Sequence, residues 1–264
     1  MSLIEICDLT KTFGPVVAVD RLNLAIDEGE TFGLLGPNGA GKTTTLKMLT
    51  TLLPPTSGRA TIAGLDVVHK ANAVRRLIGY VPQLLSADGT LTGYENLLVF
   101  ARLYDIPRRE IAGRVREALD FMALGDAADK LVRQYSGGMI RRLEIAQSML
   151  HRPPLLFLDE PTVGLDPGAR RAVWEHIEDL RRQFGTTILL TTHMMEEADA
   201  LCERVAIMHH GKLVACDTPA DLKAQVSAEA TLDDVFIHFT GDELNSGGSY
   251  RETTRTRRTA RRLG

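Results

Sequence analysis

The stretch that decides the fold is Gly36-Pro37-Asn38-Gly39-Ala40-Gly41-Lys42-Thr43, a glycine-rich loop of the pattern G-x-x-x-x-G-K-[ST]. An apolar run, residues 31–35, precedes it and a helix-compatible run, residues 43–53, follows it, which is the strand–loop–helix context that this motif requires. Backbone N–H groups in such a loop, together with the positive end of the helix dipole, form a cradle for phosphate oxygens. The pattern predicts a nucleotide site in which Lys42 reaches the β- and γ-phosphates and the Thr43 hydroxyl ligates Mg²⁺. The alternative is a glycine-rich turn before an ordinary helix.

Composition narrows the class of protein. A length of 264 residues suits one large domain, or one domain with an inserted lobe. The net charge of −3 argues against a chain whose whole surface binds nucleic acid. Three scattered cysteines, Cys7, Cys202 and Cys216, indicate thiols in a reducing compartment. No apolar stretch approaches the ~18–20 residues that cross a bilayer, so we expect a soluble, cytoplasmic chain that relies on another protein for any membrane process.

Strand and helix patterns alternate along residues 1–240 and predict an α/β domain with a mostly parallel sheet and helices on both faces. Short alternating stretches, residues 4–6 and 22–26, predict strands ahead of the loop, and residues 11–15 predict a turn between them. Residues 90–152 show helical spacing throughout and predict an inserted helical lobe, opened by the capping-box signature of Thr92 and Glu95. The tail, residues 241–264, is rich in arginine and is predicted to be disordered.

A second chemical signal is the pair Asp159-Glu160, which ends the apolar run Leu155-Leu156-Phe157-Leu158. A continuous apolar run is typical of a parallel strand buried on both faces. Successive strand side chains point in opposite directions, so the two carboxylates cannot share one task. Asp159 is placed to hold Mg²⁺ and its waters, as in other P-loop NTPases, and Glu160 is free to polarise an attacking water. Two inert, solvated acids are the alternative.

The segment Ser136-Gly137-Gly138-Met139 opens the third helix of the lobe. Ser136 would make a good N-cap, and the glycines leave backbone N–H groups bare, which predicts a second anion site. Taken alone, the segment fits a plain capped helix equally well.

Seven features occur in the order that one large family uses: Phe13, Gly36 to Thr43, Gln83, Ser136 to Met139, Asp159-Glu160, Leu165-Asp166 and His193. From about residue 3 to 240 the chain resembles the nucleotide-binding subunit of an ATP-binding-cassette (ABC) transporter. The resemblance implies a P-loop NTPase fold of the ABC type, with a mostly parallel sheet, an antiparallel β subdomain and the inserted helical lobe. It also implies ATP and Mg²⁺ as cofactors.

The resemblance further implies a role for each motif residue. Adenine would stack on Phe13, and the phosphates would contact the loop and helix start: Gly36, Pro37, Asn38, Gly39, Ala40, Gly41, Lys42, Thr43 and Thr44. In this family two domains sandwich two ATP molecules head to tail, so a second copy would supply the signature residues Ser136, Gly137, Gly138 and Met139. The implied catalytic residues are Glu160 as base, His193 at the γ-phosphate, Gln83 as Mg²⁺ sensor and link to the membrane partner, and Asp166 for cross-talk between sites. The implied metal ligands are Thr43, Gln83 and Asp159.

Two departures from the family pattern point to a branch of it. The signature ends in Met139, where Gln is usual, so a polar side-chain contact is lost. Thr162-Val163-Gly164 replaces the commoner Ser-Ala pair ahead of Leu165. With Thr231-Leu232-Asp233-Asp234-Val235-Phe236, these variants are similar to the daunorubicin/doxorubicin-resistance type of ATPase subunit. That branch works with a separate small permease to export drugs, antibiotics or lipids.

We therefore expect an ATP-hydrolysing homodimer that engages two permease chains on the cytoplasmic face of the cell membrane and binds no nucleic acid. Leu84, Leu85 and residues 91–97 are expected to line the docking groove. One alternative is a soluble ABC ATPase acting on nucleic acid or the ribosome, although such proteins usually carry paired cassettes or a long coiled-coil insertion. Another is a small-molecule kinase or a GTPase, but the chain lacks the guanine-reading N-K-x-D tetrapeptide.

Overall fold

The computed structural model describes residues 2–241, so the tail predicted for residues 241–264 lies outside the described part apart from Gly241. The strands are β1 Ser2–Phe13, β2 Val16–Asp27, β3 Thr31–Leu35, β4 Ser57–Ile62, β5 Leu65–Asp66, β6 Ile78–Val81, β7 Leu155–Asp159, β8 Thr187–Thr192, β9 Arg204–His209 and β10 Lys212–Asp217. The helices are α1 Lys42–Leu49, α2 Ala71–Leu77, α3 Gly93–Leu103, α4 Arg108–Phe121, α5 Gly137–Met149, α6 Pro167–Phe184, α7 Met195–Leu201, α8 Pro219–Ala224 and α9 Leu232–Thr240. Each helix in this part of the chain is too short or too polar to cross a bilayer.

The strands form two sheets. The larger one is six-stranded in the order β10-β9-β3-β8-β7-β6, with parallel pairing throughout except for the antiparallel edge strand β10. The smaller one is four-stranded and antiparallel in the order β2-β1-β4-β5. The predicted α/β fold, with its mostly parallel sheet and antiparallel subdomain, is confirmed.

Strand β7 shows how the larger sheet is buried on both faces. Leu156 and Leu158 point into a core shared with the helices that follow β6, whereas Leu155 and Phe157 point into a core shared with α1 and the antiparallel sheet. All four side chains are fully buried. Because apolar side chains cover both faces, polar residues of this strand are confined to its carboxyl end, where Asp159 lies.

Helices α3, α4 and α5 lie between β6 and β7 in the chain and pack on one face of the larger sheet. Helix α3 begins with the predicted capping box: the Glu95 N–H donates to Thr92 Oγ1 at 3.1 Å, and the Thr92 N–H donates to the Glu95 carboxylate at 2.8 Å. Helix α5 begins at the predicted N-cap, where the Met139 N–H donates to Ser136 Oγ at 3.2 Å. Local capping chemistry therefore fixes both helix starts.

Three local predictions differ from the structure. The helix predicted for residues 43–53 ends at Leu49, because Thr51 takes a left-handed conformation with φ 64° that breaks the helix. Strands β1 and β2 are longer than predicted, and residues 11–13 belong to β1, so only Gly14 and Pro15 make the turn. Left-handed residues Asp8 and Arg21, with register shifts between these strands, interrupt the apolar alternation that would have revealed their length.

Half-buried His151 predicts an acid-sensitive contribution to stability. Its Nε2–H donates to the Ile78 carbonyl at 3.1 Å, and its ring stacks on Tyr104 with centroids 4.0 Å apart. Burial lowers the pKa of His151 below its ordinary 6.5, so the unfolded state binds more protons as the pH falls through 6.5 and stability is lost. The variant His151→Phe keeps the stacking ring but cannot take up a proton. We expect its melting temperature to fall less than that of the wild type when the pH is lowered from about 7.5 to about 5.5. One additional proton bound by the unfolded state lowers the free energy of unfolding by at most ~1.4 kcal/mol per pH unit.

The matched control is the same change at the exposed residue His238 in α9. Half-buried His176, whose pKa is also lowered chiefly by burial, keeps some acid sensitivity in every variant. Equal pH dependence in wild type and His151→Phe, measured by thermal unfolding, would contradict the prediction.

Candidate functional site

The predicted site residues gather at the carboxyl ends of neighbouring parallel strands. The glycine-rich loop follows β3, Asp159 ends β7 with Glu160 directly after it, Gln83 follows β6 and His193 follows β8. Ligands of open α/β sheets bind at this edge. The strand order brings together residues that are far apart in the sequence.

Two positions of the glycine-rich loop have no room for a side chain. A Cβ atom at Gly36 would overlap the Met208 carbonyl oxygen. Gly41, the N-cap of α1, has φ 105°, and a Cβ there would meet the Ala18 carbonyl oxygen at 2.5 Å. Behind the loop, the β9–β10 turn donates a hydrogen bond from the Gly211 N–H to the Ala40 carbonyl at 3.1 Å. The loop therefore lies directly against backbone on two sides, which fixes its path.

The Lys42 ammonium is buried, with the side chain 4% exposed. It donates to the Gly36 carbonyl at 2.6 Å and to the Pro37 carbonyl at 3.1 Å. Its Nζ lies 3.3 Å from Oε1 of Glu160. Burial lowers the pKa of Lys42, and the negative charges of Glu160 and Asp159 oppose that shift. The ammonium group thus lies between the loop carbonyls and the acidic end of β7.

Three predicted residues meet at the Glu160 carboxylate. Besides Lys42 at Oε1, the Gln83 amide donates to Oε2 at 3.1 Å. His193 Nδ1 lies 3.3 Å from the same oxygen, at an angle that does not make a hydrogen bond. Glu160 also takes a left-handed backbone conformation with φ 49°, which costs ~1–3 kcal/mol and is typical of functional sites. The carboxylate is aimed inward, among groups that can hold a phosphate and a water.

Asp159 accepts hydrogen bonds from two hydroxyl groups of the site. Its Oδ1 accepts from Thr43 Oγ1 at 3.0 Å and from Thr191 Oγ1 at 2.6 Å. Carboxylate, hydroxyl and amide oxygens are the ligands that Mg²⁺ prefers, usually with one or two carboxylates and substrate phosphates. Residues 2–241 hold no cluster of three or more acidic, His or Cys side chains suited to a metal. The Thr43 hydroxyl and the Asp159 carboxylate, 3.0 Å apart, are of the ligand class that fits Mg²⁺.

The signature residues, Ser136 to Met139, lie at the start of α5. Ser136 and Gly137 are exposed, and a Cβ at Gly137 would meet Leu165 at 3.3 Å. A Cβ at Gly138 would lie 2.8 Å from the Ala169 side chain at the start of α6. Met139 is half-buried against the helical core. These contacts hold the segment against α6 and not against the chain's own glycine-rich loop.

The remaining predicted residues lie at the margins. Phe13, at the end of β1, is 49% exposed, and Lys11 Nζ lies 5.3 Å from the centre of its ring. Asp166 is the N-cap of α6 and accepts from the Ala169 N–H at 2.9 Å. Thr44 is half-buried in the first turn of α1. The structure thus gives Asp166 a capping contact that the sequence analysis did not predict.

Sequence analysis missed a buried ion pair that holds the segment after β6. Arg141 in α5 donates to the Pro82 carbonyl at 2.7 Å, to the Gln83 carbonyl at 2.9 Å and to Glu144 at 3.1 Å. Glu144 accepts from the Ser86 N–H. Burial lowers the pKa of Arg141, and the Glu144 charge opposes the shift. The only sequence signal was a pair of opposite charges three residues apart, which is usually a surface contact.

A second missed contact joins the loop before Asp166 to the helix after His193. Thr162 Oγ1 and Trp174 Nε1 both donate to Oε1 of Glu197, at 2.6 Å and 3.0 Å. Glu197 is 1% exposed. Its neighbour Glu196 is an exposed residue of α7, so no local pattern distinguished the two acids.

Comparisons with known proteins agree on one family. A family model described as ABC transporter matches residues 19–163. The daunorubicin/doxorubicin resistance ATP-binding protein DrrA of Streptomyces peucetius is 46% identical over 225 residues, 85% of this chain and 68% of that protein. The Nod factor export ATP-binding protein I of Sinorhizobium fredii is 46% identical over 216 residues, 82% of this chain and 63% of that protein.

Solved structures agree. A structure titled as the ATP binding subunit of an ABC transporter superposes with a TM-score of 0.80 at 30% identity, covering 90% of this chain and all of that one. CbiO1 of Clostridium perfringens, described as part of the ABC transporter complex cbiONQ, superposes with a TM-score of 0.77 at 27% identity. It covers 85% of this chain and 91% of its own.

The buried pair predicts a large stability difference between adjacent arginines. Arg141→Leu leaves the Glu144 carboxylate buried without its cation, which costs ~3–5 kcal/mol. We expect a correspondingly lower melting temperature and faster hydrogen exchange in residues 82–87. Arg142→Leu is the matched control, because half-buried Arg142 donates only to the Met122 and Ala123 carbonyls. Equal losses in the two variants, measured by thermal unfolding, would contradict the prediction.

Proposed function

Because this chain belongs to the ABC transporter family as an ATP-binding subunit, we propose that it hydrolyses ATP with Mg²⁺ to drive a separate membrane permease. The observation that carries the proposal is the meeting of Lys42, Gln83 and His193 at the Glu160 carboxylate. Phosphoryl transfer to water requires a cation at the phosphates and an oriented water, and little covalent chemistry from the protein. This group of side chains is suited to both tasks.

The phosphates would bind to the glycine-rich loop. Its N–H groups and the start of α1 supply donors, and Lys42 would pass from Glu160 to the β- and γ-phosphates. Thr43, Asp159 and Gln83 would hold Mg²⁺, which would supply positive charge to neutralise the charge that develops on the phosphates. The adenine ring would stack on exposed Phe13.

Glu160 would act as the general base or water anchor. Once Lys42 moves to the phosphates, Gln83 and His193 remain within 3.3 Å of the Glu160 carboxylate. They would keep it aimed at a water in line with the γ-phosphate. His193, 26% exposed at its side chain, would also contact the γ-phosphate directly.

The site would be completed by a second copy of the chain. Ser136 and Gly137 are exposed at the start of α5 and are held away from their own loop by contacts with Leu165 and α6. Two copies arranged head to tail would bring each signature segment to the γ-phosphate bound by its partner's Lys42. Asp166, at the nearby start of α6, would carry cross-talk between the two sites. Met139 ends the signature without a polar side chain.

A permease would dock on the surface that follows β6. Leu84 and Leu85 are 82% and 54% exposed, directly after Gln83. On α3 the exposed apolar residues are Val99 and Leu103. The expectation that all of residues 91–97 line the groove is wrong at Leu97, which is fully buried in the core of the helical lobe. An exposed apolar surface of this kind marks an interaction site.

The names of the relatives support a proposal for the cargo. Proteins with 46% identity are named for daunorubicin/doxorubicin resistance and for Nod factor export. We therefore propose export of a drug, an antibiotic or a lipid-like molecule by a subunit peripheral to the cytoplasmic face of the cell membrane. The working unit of the chain would be residues 1–240, with the helical lobe at about 90–152 and the Arg-rich tail outside it.

The variant Glu160→Gln tests the site. Removing the carboxylate charge takes away the base, so hydrolysis is expected to fall by about 10²–10⁴-fold. The ammonium of Lys42 also loses its competing partner, so ATP is expected to bind more tightly and to trap a two-chain sandwich. The measurements are phosphate release and light scattering, with ATP in the presence and absence of Mg²⁺.

Glu178→Gln, the same change in α6 at a residue whose side chain is 40% exposed, serves as the matched control and should behave as wild type. Wild-type hydrolysis in Glu160→Gln would contradict the assignment of the base. Lost hydrolysis with a monomer at every ATP concentration would contradict the two-chain sandwich.

The double variant Leu84→Ser/Leu85→Ser tests permease docking. Basal ATP hydrolysis should stay unchanged, while sedimentation with membranes that contain the permease should fall because apolar contact area is lost. Leu52→Ser, at a 61% exposed leucine after α1, is the matched control. Undiminished sedimentation of the double variant would contradict docking at this surface.

A further inference from the structure

A buried hydroxyl group joins the two acidic residues of the site. Thr191 lies in β8 directly opposite Asp159 of β7, and its side chain is fully buried. Its Oγ1 lies 2.6 Å from Asp159 Oδ1 and 3.0 Å from the Glu160 backbone nitrogen. Asp159 and Glu160 thus share one hydrogen-bonding partner from the adjacent strand.

The direction of these hydrogen bonds is fixed by chemistry. The Glu160 N–H can only donate, so Thr191 Oγ1 accepts from it. The single hydroxyl proton of Thr191 is then free to be donated to the Asp159 carboxylate. A side chain that lacks either a donor or an acceptor could not make both contacts. Threonine and serine, whose hydroxyl group is both, meet this requirement in a small side chain.

The contact with Glu160 supports a strained conformation. Glu160 has a left-handed φ of 49°, and its N–H donates both to Thr191 Oγ1 and, at 3.1 Å, to the Thr191 carbonyl. This conformation persists only when surrounding contacts over-determine it. It directs the Glu160 carboxylate towards Lys42, Gln83 and His193.

The contact with Asp159 acts on the metal-binding side. Asp159 Oδ1 accepts from Thr191 Oγ1 and also from Thr43 Oγ1. Hydrogen bonds from residues behind a metal ligand fix its orientation, and their loss weakens metal binding or activity. One side chain therefore orients the carboxylate expected at Mg²⁺ and the backbone of the expected general base.

We propose that Thr191 is a positioning residue for ATP hydrolysis, which aligns Asp159 and Glu160 relative to one another through its single hydroxyl group. The inference rests on the proposed function and deepens it, because it assigns a residue that none of the predicted motifs contains. Thr191 acts through the two acids and does not touch the nucleotide.

The chain offers a matched control on the same strand. Thr187 lies four residues before Thr191, on the same face of β8, and is equally buried. Its Oγ1 accepts from the Gly29 N–H at 2.8 Å, at the opposite end of the strand from the site. Thr187→Val therefore removes a buried hydroxyl that accepts one backbone N–H, and leaves the acidic residues untouched.

The experiment compares Thr191→Val, Thr191→Ser and Thr187→Val in the full chain. Metal affinity is measured with Mn²⁺ as the spin probe in the presence of ADP, which needs no turnover, and kcat and KM are measured with ATP and Mg²⁺. In Thr191→Val we expect the Mn²⁺ dissociation constant to rise and kcat to fall, each by about tenfold or more. ADP affinity in the presence of a chelator should not change. Thr191→Ser should restore both values, and Thr187→Val should match wild type in both.

The outcomes separate the inference from the function on which it rests. The role of Thr191 would be overturned if Thr191→Val had the same metal affinity and the same kcat as Thr187→Val while Glu160→Gln abolished hydrolysis. A wild-type chain that hydrolyses no ATP, or Glu160→Gln with undiminished hydrolysis, would overturn the proposed function itself. If Thr191→Val does not yield folded protein, Thr191→Cys replaces it, because a thiol is a weak donor and acceptor and the same direction of change is expected.

Discussion

The burial of the Glu160 carboxylate is the constraint on which the rest of the site depends. A carboxylate removed from water is costly unless a cation and hydrogen-bond donors replace the water. Lys42 and Gln83 supply these partners at 3.3 Å and 3.1 Å, and His193 Nδ1 lies 3.3 Å from the same carboxylate without a hydrogen bond. Each of the three residues follows a different strand of the sheet. Residues so far apart in the chain meet because β3, β8, β7 and β6 are consecutive in one parallel sheet. The order of strands in the sheet therefore brings together the side chains that replace water around the Glu160 carboxylate.

A second buried ion pair extends this arrangement to the outside of the molecule. Arg141 holds the backbone of Gln83 from α5, while Glu160 accepts a hydrogen bond from the Gln83 side chain. Gln83 is thus fixed at both ends, and the exposed Leu84 follows it directly. The exposed Leu84 is therefore connected to Glu160 through the Gln83 side chain and to α5 through Arg141. If a partner docks there as proposed, these contacts would connect it to both halves of the proposed ATP site.

The sequence predicted the features whose chemistry is local. The glycine-rich loop, the Asp159-Glu160 pair and the caps at Thr92 and Ser136 each depend on a few adjacent residues, and the structure contains the loop, the strand end and the caps where they were expected. Most of the contacts that were missed join residues far apart in the chain. Thr191 pairs with Asp159 only because β7 and β8 are in register, and Arg141 and Glu197 look like surface charges until the helices that bury them are in place. Periodicity reveals which face of an element is apolar, but not which polar group will need a partner there.

Nucleotide binding at this site is an exchange of partners. Lys42 Nζ already has the Glu160 carboxylate and two loop carbonyls within 3.3 Å, so phosphate oxygens must compete with those contacts. The affinity for a nucleotide therefore reflects the free energy of the new phosphate contacts less that of the contacts that Lys42 gives up. The cation that contacts Glu160 is also the one that the phosphates would require. Binding of the phosphates to Lys42 would therefore release the Glu160 carboxylate from this ion pair, which couples the two events through geometry.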